Sequence, residues 1–261
     1  MKKLLMLCVI WVVYSNTYSQ TSIRAIYKTI LASNGKSPVY EELLLQGDKS
    51  TYKLIERVKP EKVIVDENTG IVALNPDTPD SIHTYLVSNH KAKMIFSKTF
   101  LSSDGGDSYK EYHVKEPFDV KWTFHNESIK IGTYNCRKAT TNFRGRTYTA
   151  WYTEQIPISV GPWKLHGLPG LAVKIQDNKD EVTFLLDKVE APTNRSININ
   201  NSIYQNTVDL GTFAKLKKIA HERSEEAFIS KLLSQLPRGA TIQKNESSED
   251  KSLDLEKTFE K

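Results

Sequence analysis

The stretch Gly132–Glu154, which reads GTYNCRKATTNFRGRTYTAWYTE, decides the fold class of this chain. Two segments rich in β-branched and aromatic residues flank the tripeptide Arg144-Gly145-Arg146, and these residue types favour strands. A glycine between two such segments is typical of a tight turn. The stretch therefore predicts an antiparallel hairpin with the arms Gly132–Phe143 and Thr147–Glu154.

Further strands are predicted on both sides of this hairpin, separated by turn residues such as Gly47-Asp48. They are Thr21–Leu31, Val39–Gln46, Ser50–Val58, Glu61–Asp66, Ile82–Ser88, Lys91–Phe100, Tyr109–Lys115, Leu171–Gln176 and Glu181–Val189. Strands at this spacing indicate a mainly β protein, an antiparallel meander that forms a curved sheet or partial barrel. Strands and helices do not alternate, which excludes a doubly wound dinucleotide-binding fold.

One long helix is predicted near the C-terminus, over about residues 213–236. Thr212 is suited to cap its first turn, and Pro237 is suited to end it. Its apolar residues fall near one face; they are Phe213, Leu216, Ala220, Ala227, Leu232 and Leu236. We expect a single β-rich domain over residues 20–240 that includes this helix. A polar tail, residues 241–261, is predicted to be disordered.

Residues 1–19 have the pattern of a secretory signal peptide. Lys2 and Lys3 precede the apolar run Leu4–Val13, which is too short to span a bilayer, and cleavage is expected before Gln20. Without the two lysines, the 36 basic residues of the chain fall to 34, against 31 acidic ones. Acidic and basic residues alternate through most of the chain, so nucleic-acid binding is not expected. The mature chain is predicted to be exported and to lack a transmembrane segment.

Local motifs for catalysis, metal binding or cofactor binding are not found in the sequence. The six histidines lack the spacings of zinc ligands, and neither a nucleophile elbow nor a phosphate-binding glycine loop is present. His221 and Glu225 match only part of a zinc-protease helix, so a solvated helix face is the better interpretation. Removal of Cys8 leaves Cys136 without a disulfide partner, and free cysteine is among the most buried residue types. No metal or cofactor is expected.

The most distinctive segment is Pro157–Leu171, PISVGPWKLHGLPGL. Its glycines and prolines rule out a regular strand, whereas its Trp and Leu residues are unlike those of a solvated loop. It either packs against one end of the curved sheet or lines a ligand cleft. The residues expected to shape the backbone and core are Gly161, Pro162, Gly167, Gly170 and Leu171, together with Cys136. The residues predicted to contact a ligand are Trp163, His166, Leu168 and Pro169.

The pentapeptide Gly167–Leu171 resembles the motif of the GLPGLI family, exported proteins of Gram-negative envelopes whose function is generally unassigned. The similarity covers roughly residues 122–189, and Ala172 departs from it because the family has isoleucine there. The resemblance implies no catalytic residues. It implies a location in the periplasm or at the periplasmic face of the outer membrane. It also implies an envelope partner, such as an outer-membrane receptor of a TonB-dependent uptake system.

Two classes of function are compatible with these features. In the first, the chain is an exported binding or accessory protein whose concave sheet holds an apolar molecule, a lipid or an extended peptide. In the second, it is a periplasmic hydrolase or thiol enzyme that uses Cys136, or His166 with a nearby carboxylate. Export, the apolar loop and the missing catalytic motifs favour the first class.

Overall fold

The computed structural model describes residues 22–32, 38–57, 85–103, 108–118, 120–235 and 256, and this part of the chain is mainly β. Within these residues, twelve strands form one sheet, followed by one long helix. The elements are β1 (Ile23–Leu31), β2 (Pro38–Gln46), β3 (Lys49–Arg57), β4 (Tyr85–Asn89), β5 (Met94–Ser103), β6 (Ser108–Pro117), β7 (Thr123–Ile131), β8 (Tyr134–Phe143), β9 (Arg146–Thr153), β10 (Leu171–Asp177), β11 (Val182–Glu190), β12 (Thr207–Asp209) and α1 (Leu210–Gln235). The predicted fold class is confirmed.

The sheet consists of two antiparallel meanders. Strands β1 to β6 pair in succession, as do β7 to β11, and β1 pairs antiparallel with β11 to join the two. Strand β12 adds to the edge strand β6 as a parallel pair, with Thr207 opposite His113. The expected single run of neighbouring strands is therefore interrupted, because β6 and β7 follow each other in sequence but lie near opposite edges of the sheet.

The sheet curls strongly around one apolar core. Strands of a sheet lie about 4.8 Å apart, so β6 and β9 would be roughly 40 Å apart in a flat sheet of this order. Arg144, in the turn before β9, nevertheless hydrogen-bonds directly to Glu116 of β6. One buried cluster likewise joins Leu86 and Ile95 of the first meander to Ala139 and Tyr148 of the second. The concave face of the sheet therefore closes on itself around the core without forming a complete barrel.

Helix α1 packs against the concave face of β5 and β6 through its first turns. Phe213 is buried with Leu101 and Val114, and Leu216 and Ala220 flank this contact. These three helical residues follow the spacing of one helix face. Asp209 starts the helix, because its carboxylate accepts a hydrogen bond of 2.9 Å from the Thr212 amide. The prediction that Thr212 caps the helix was wrong; the helix begins three residues earlier than expected because Asp209 supplies the capping carboxylate.

The other elements, predicted or observed, fall into three groups. The hairpin around Arg144-Gly145 and the hairpin around Gly47-Asp48 are confirmed, with strand ends within a few residues of those expected. Strands β7 and β12 were not predicted. The predicted signal peptide, the strand Glu61–Asp66 and the tail apart from Glu256 lie outside the described residues. Within the described part, no helix has the length and apolarity needed to cross a membrane.

Candidate functional site

The segment between β9 and β10 fills the concave side of the sheet, and residues 157–170 are called the plug loop below. Its backbone is held by hydrogen bonds at both ends. The Leu171 amide donates to the Ile156 carbonyl at 2.9 Å, and the Gly167 amide donates to the Ser159 carbonyl at 2.9 Å. A tight turn from Pro162 to Leu165 lies between them. The loop is therefore an ordered part of the fold rather than a loose connection.

Two of its glycines are required by close backbone contacts. A Cβ atom on Gly161 would lie 2.1 Å from the carbonyl oxygen of Leu165, and one on Gly170 would lie 2.0 Å from that of Thr153. Gly167 has a positive φ of 98°, in which an L side chain is strained. The pattern of glycines in this segment thus follows from how tightly the backbone folds here.

The large side chains of the plug loop belong to the core. Trp163, Leu165 and Leu168 are buried, and Trp163 packs edge-to-face on Phe143 with ring centroids 5.6 Å apart. His166 is also buried, whereas Pro169 is exposed. The loop therefore packs against the sheet, as the first of the two interpretations expected. A ligand-binding role for Trp163, His166, Leu168 and Pro169 stays a prediction.

His166 is the polar centre of the plug loop, and its two ring nitrogens have different partners. Nδ1 accepts a hydrogen bond from the Gly161 amide at 3.3 Å, and Nε2 lies 3.0 Å from the Ser88 hydroxyl oxygen. Because an amide N–H can only donate, Nδ1 carries no proton, and the neutral ring carries its proton on Nε2. His166 therefore donates to Ser88. A general base for a serine nucleophile needs the opposite arrangement, in which the histidine accepts.

Aromatic and apolar neighbours hold His166 in this neutral form. The His90 ring centroid lies 5.2 Å away and the Phe118 ring centroid 5.3 Å away. Burial, with a smaller contribution from His90, lowers the pKa of His166 to about 3. Burial also lowers the pKa of His90, whose Nε2 lies 2.8 Å from the Ser50 hydroxyl. The His166 hydrogen bond joins the plug loop to β4, and the His90 hydrogen bond joins the β4–β5 turn, whose His90 ring packs against His166, to β3.

A buried ionic cluster lies beside the same loop. Glu116 of β6 accepts hydrogen bonds from Lys164 of the plug loop and from Arg144 of the β8–β9 turn. The exposed fraction of the three side chains is 1%, 6% and 8%, respectively. Breaking a pair of this kind strands a charge in a medium of low dielectric constant. The cluster therefore ties the plug loop and the second meander to strand β6.

Cys136 does not have the environment of a reactive thiol. It is fully buried in β8, and its Sγ lies 3.7 Å from the Tyr134 carbonyl oxygen. Burial raises the pKa of the thiol, which lowers the thiolate fraction at neutral pH. The position fits the core role expected for this cysteine. Among the described residues, no group of His, Cys, Asp and Glu side chains is arranged to hold a metal ion.

Two surface depressions lie away from the plug loop. One of about 450 Å³ lies at the end of β11 and is lined by Glu190 and residues 192–195. The other, of about 240 Å³, lies beside the edge strand β7 and is called the edge depression below. Its lining residues are Ser128, Asn135, Cys136, Arg137, Glu154 and Gln155. The sequence did not predict this second feature, because β7 was not recognised as a strand.

Comparison with known proteins finds a match to a family for a short part of the chain. Residues 143–174, which include the plug loop, match the family described as Protein of unknown function (Porph_ging). A search of curated proteins found no match. Two structures of PNGF-II, in the C2 and P21 space groups, are similar at TM-scores of 0.48 and 0.47 and 18% identity. They align with 78% and 77% of this chain, which spans about a third of their length.

The sequence located the plug loop but missed most of its partners. Ser88 and Glu116 contact the loop from distant positions in the chain, Arg144 contacts Glu116, and no local motif marks these residues. Glu116 does carry one signal, because it lies two residues after the buried Val114 in a strand. Period-two alternation places both on the same face of β6, which makes Glu116 a candidate for burial.

Proposed function

We propose that this chain is an exported envelope protein of the GLPGLI type that binds an extended peptide segment, in a binding or accessory role. The expected location is the periplasm or the periplasmic face of the outer membrane. An envelope partner such as an outer-membrane receptor is the expected source of the peptide. The signal-peptide pattern of residues 1–19 and the resemblance of the plug-loop region support this assignment.

The observation that carries the binding proposal is the edge of β7. Strand β7 is the last strand of the sheet, and within the described residues its outer edge has no neighbouring strand. Residues 128–131 pair regularly with β8, from Ser128 opposite Arg137 to Ile131 opposite Tyr134. Such an edge offers backbone N–H and C=O groups to an incoming extended chain.

Side chains near this edge supply the second element of peptide recognition. The exposed fractions of Phe124 and Ile129 in β7 are 54% and 42%, which is high for large apolar residues. The edge depression includes Ser128 of β7, and its other lining residues, Arg137 and Glu154 among them, belong to β8 and to the residues that follow β9. In strand addition, backbone hydrogen bonds give affinity while such depressions select alternate side chains of the peptide. Apolar and polar residues in alternation are therefore the expected ligand pattern.

The geometry speaks against the enzymatic alternative at the two residues considered for it. His166 donates to Ser88 and has a strongly lowered pKa, so it does not act as a base toward that hydroxyl. Cys136 has a raised pKa and is fully buried.

Hydrogen exchange with a peptide array tests the binding proposal. We expect synthetic ten-residue peptides with alternating apolar and polar residues to slow amide exchange in residues 123–131. Ile129→Lys should abolish this protection, and Ile219→Lys is the matched control because Ile219 is an exposed isoleucine, 44% accessible, on α1. Protection that is absent from β7, or that survives Ile129→Lys, would contradict the proposal.

Export has a separate test. The chain expressed in a Gram-negative host should be recovered from the periplasmic or outer-membrane fraction, and N-terminal sequencing should start at Gln20. A chain that keeps Met1 and remains in the cytoplasm would refute export without bearing on the β7 surface.

A further inference from the structure

Glu256, five residues before the end of the chain, contacts the buried ionic cluster beside the plug loop. Its Oε1 atom lies 2.7 Å from Nζ of Lys164 and 3.6 Å from Nε of Arg144. The same two cations bind Glu116 on β6. Lys164 and Arg144 are thus held by one carboxylate from the sheet and one from the C-terminal region.

The cations are positioned to receive a carboxylate from outside the sheet. The Lys164 ammonium has three N–H donors, and Glu116 shares its carboxylate between Lys164 and Arg144. Burial by itself lowers the pKa of Lys164, but the charges of Glu256 and Glu116 outweigh burial and raise it. Lys164 therefore stays charged inside the protein, where a charged group requires close partners.

Glu256 differs from the other members of the cluster in its exposure. Its side chain is 15% exposed, against 1% for Glu116 and 6% for Lys164. Glu256 therefore lies on the solvent side of the cluster, and Glu116 lies on its inner side. Departure of Glu256 would leave the inner contacts of Glu116 in place while opening the Lys164 and Arg144 side to solvent.

We propose that Lys164 and Arg144 form a binding site for the carboxylate of an acidic peptide segment, and that Glu256 occupies this site in cis. A peptide of the same sequence supplied in trans is expected to enter the site when Glu256 is absent. The site lies on the plug loop and the β8–β9 turn, so the proposal is independent of peptide binding at β7.

The charges of the cluster favour a carboxylate over a more highly charged anion. Glu116 places a negative charge on the same two cations, so a dianion such as phosphate would be repelled from within the cluster. A single carboxylate balances the two cations together with Glu116. The predicted ligand is therefore a glutamate or aspartate side chain within a peptide.

Carbodiimide crosslinking of the full-length chain tests the proposal directly. The reagent condenses a lysine amine with a carboxylate in direct contact, so wild type should yield an amide between Lys164 and Glu256, identified by mass spectrometry. E256Q should lose this product, and E260Q, the matched control at a nearby glutamate, should retain it. An isotope-labelled peptide of residues 251–261 is then added to each chain at millimolar concentration.

The labelled peptide distinguishes occupancy in cis from occupancy in trans. We expect its Glu256 to crosslink to Lys164 of the E256Q chain at least 10-fold more than to wild type, because the tail of wild type competes at high effective concentration. A labelled peptide with glutamine in place of Glu256 should fail to link. The proposal is overturned if wild type forms no Lys164–Glu256 product, or if the labelled peptide links equally to both chains or to neither.

Discussion

At the scale of single residues, Gly161 and Gly170 leave no room for a side chain. An added Cβ would lie about 2 Å from a carbonyl oxygen at both positions, a distance that forces the backbone apart. We expect Gly161→Ala and Gly170→Ala each to lower the free energy of unfolding by about 3 kcal/mol or more. Urea unfolding measures this loss.

Gly132 provides the control for this prediction. Unlike Gly161 and Gly170, it has a positive φ, 57°, but nothing lies within 4 Å of the position of its Cβ. Gly132→Ala should therefore cost only the strain of the left-handed backbone, about 1–2 kcal/mol. Equal losses at the three positions would contradict the role assigned to close backbone contact at Gly161 and Gly170.

His166 makes the stability of the protein depend on pH. Its pKa is about 3 in the folded chain, against 6.5 as the ordinary value, so the unfolded chain binds more protons between these limits. The contribution of neutral His166 to the free energy of unfolding is fully present above about pH 6.5 and is lost as the pH falls toward 3. One proton corresponds to about 1.4 kcal/mol per pH unit, or roughly 2–3 kcal/mol between pH 6.5 and 4.5.

Unfolding by urea across this pH range checks the prediction. His166→Gln should flatten the dependence of the unfolding free energy on pH, whatever its effect on absolute stability. His221→Gln should leave the slope unchanged, because His221 is 72% exposed on α1. A slope that His166→Gln leaves intact would mean that His166 already binds a proton in the folded chain.

At the scale of elements, a buried ion pair holds the β8–β9 hairpin against the next hairpin. Arg146 in β9 donates to Asp177 at 2.8 Å and to Glu181 at 2.5 Å, and Arg146 and Asp177 are each 1% exposed. Asp177 also accepts hydrogen bonds from the amides of Glu181 and Val182, which fixes the turn between β10 and β11. Arg146 thus links two hairpins that local sequence predicts separately.

Removal of the Arg146 charge should destabilise the folded chain. We expect Arg146→Met to lower the free energy of unfolding by about 3–5 kcal/mol, because it leaves the Asp177 carboxylate buried beside a thioether. Arg137→Met is the control, since Arg137 is 64% exposed and pairs with Glu154 at 3.4 Å on the surface; its loss should stay below about 1 kcal/mol. Chemical unfolding of both variants separates the two cases, and similar losses would contradict the role assigned to Arg146.

The hairpins could be predicted because they depend on nearby residues, whereas other elements do not. Period-two alternation and a Gly-containing turn are enough to define β2–β3 and β8–β9. Strand β7 was missed because His125–Glu127 interrupts its alternation, and its pairing with β8 shifts register between Phe124 and Ser128. Strand β12 has three residues, too few for a periodic pattern.

At the scale of the whole molecule, the sequence predicts a curved sheet but not which distant strands come into contact when the sheet curls. The curled arrangement depends on the pairing of β1 with β11 and on contacts between β6 and the β8–β9 turn. These contacts join positions that are far apart in sequence and involve charged residues, which are read by default as surface residues. The plug loop could be predicted as irregular and apolar, but its contacts with Ser88 and Glu116 could not.

Glu116 joins β6 to the β8–β9 turn and to the plug loop. Its replacement tests whether these contacts stabilise the curled sheet. Glu116→Gln keeps the shape of the side chain but leaves Lys164 and Arg144 without the inner carboxylate, so we expect a loss of about 3–5 kcal/mol in the free energy of unfolding. Glu111→Gln, on the same strand, should cost less than about 1 kcal/mol because the Glu111 side chain is 43% exposed. Hydrogen exchange should rise in both β6 and the plug loop of Glu116→Gln, since one carboxylate binds Lys164 from the loop to β6. Increased exchange confined to β6 would mean that the histidine contacts alone hold the loop in the sheet.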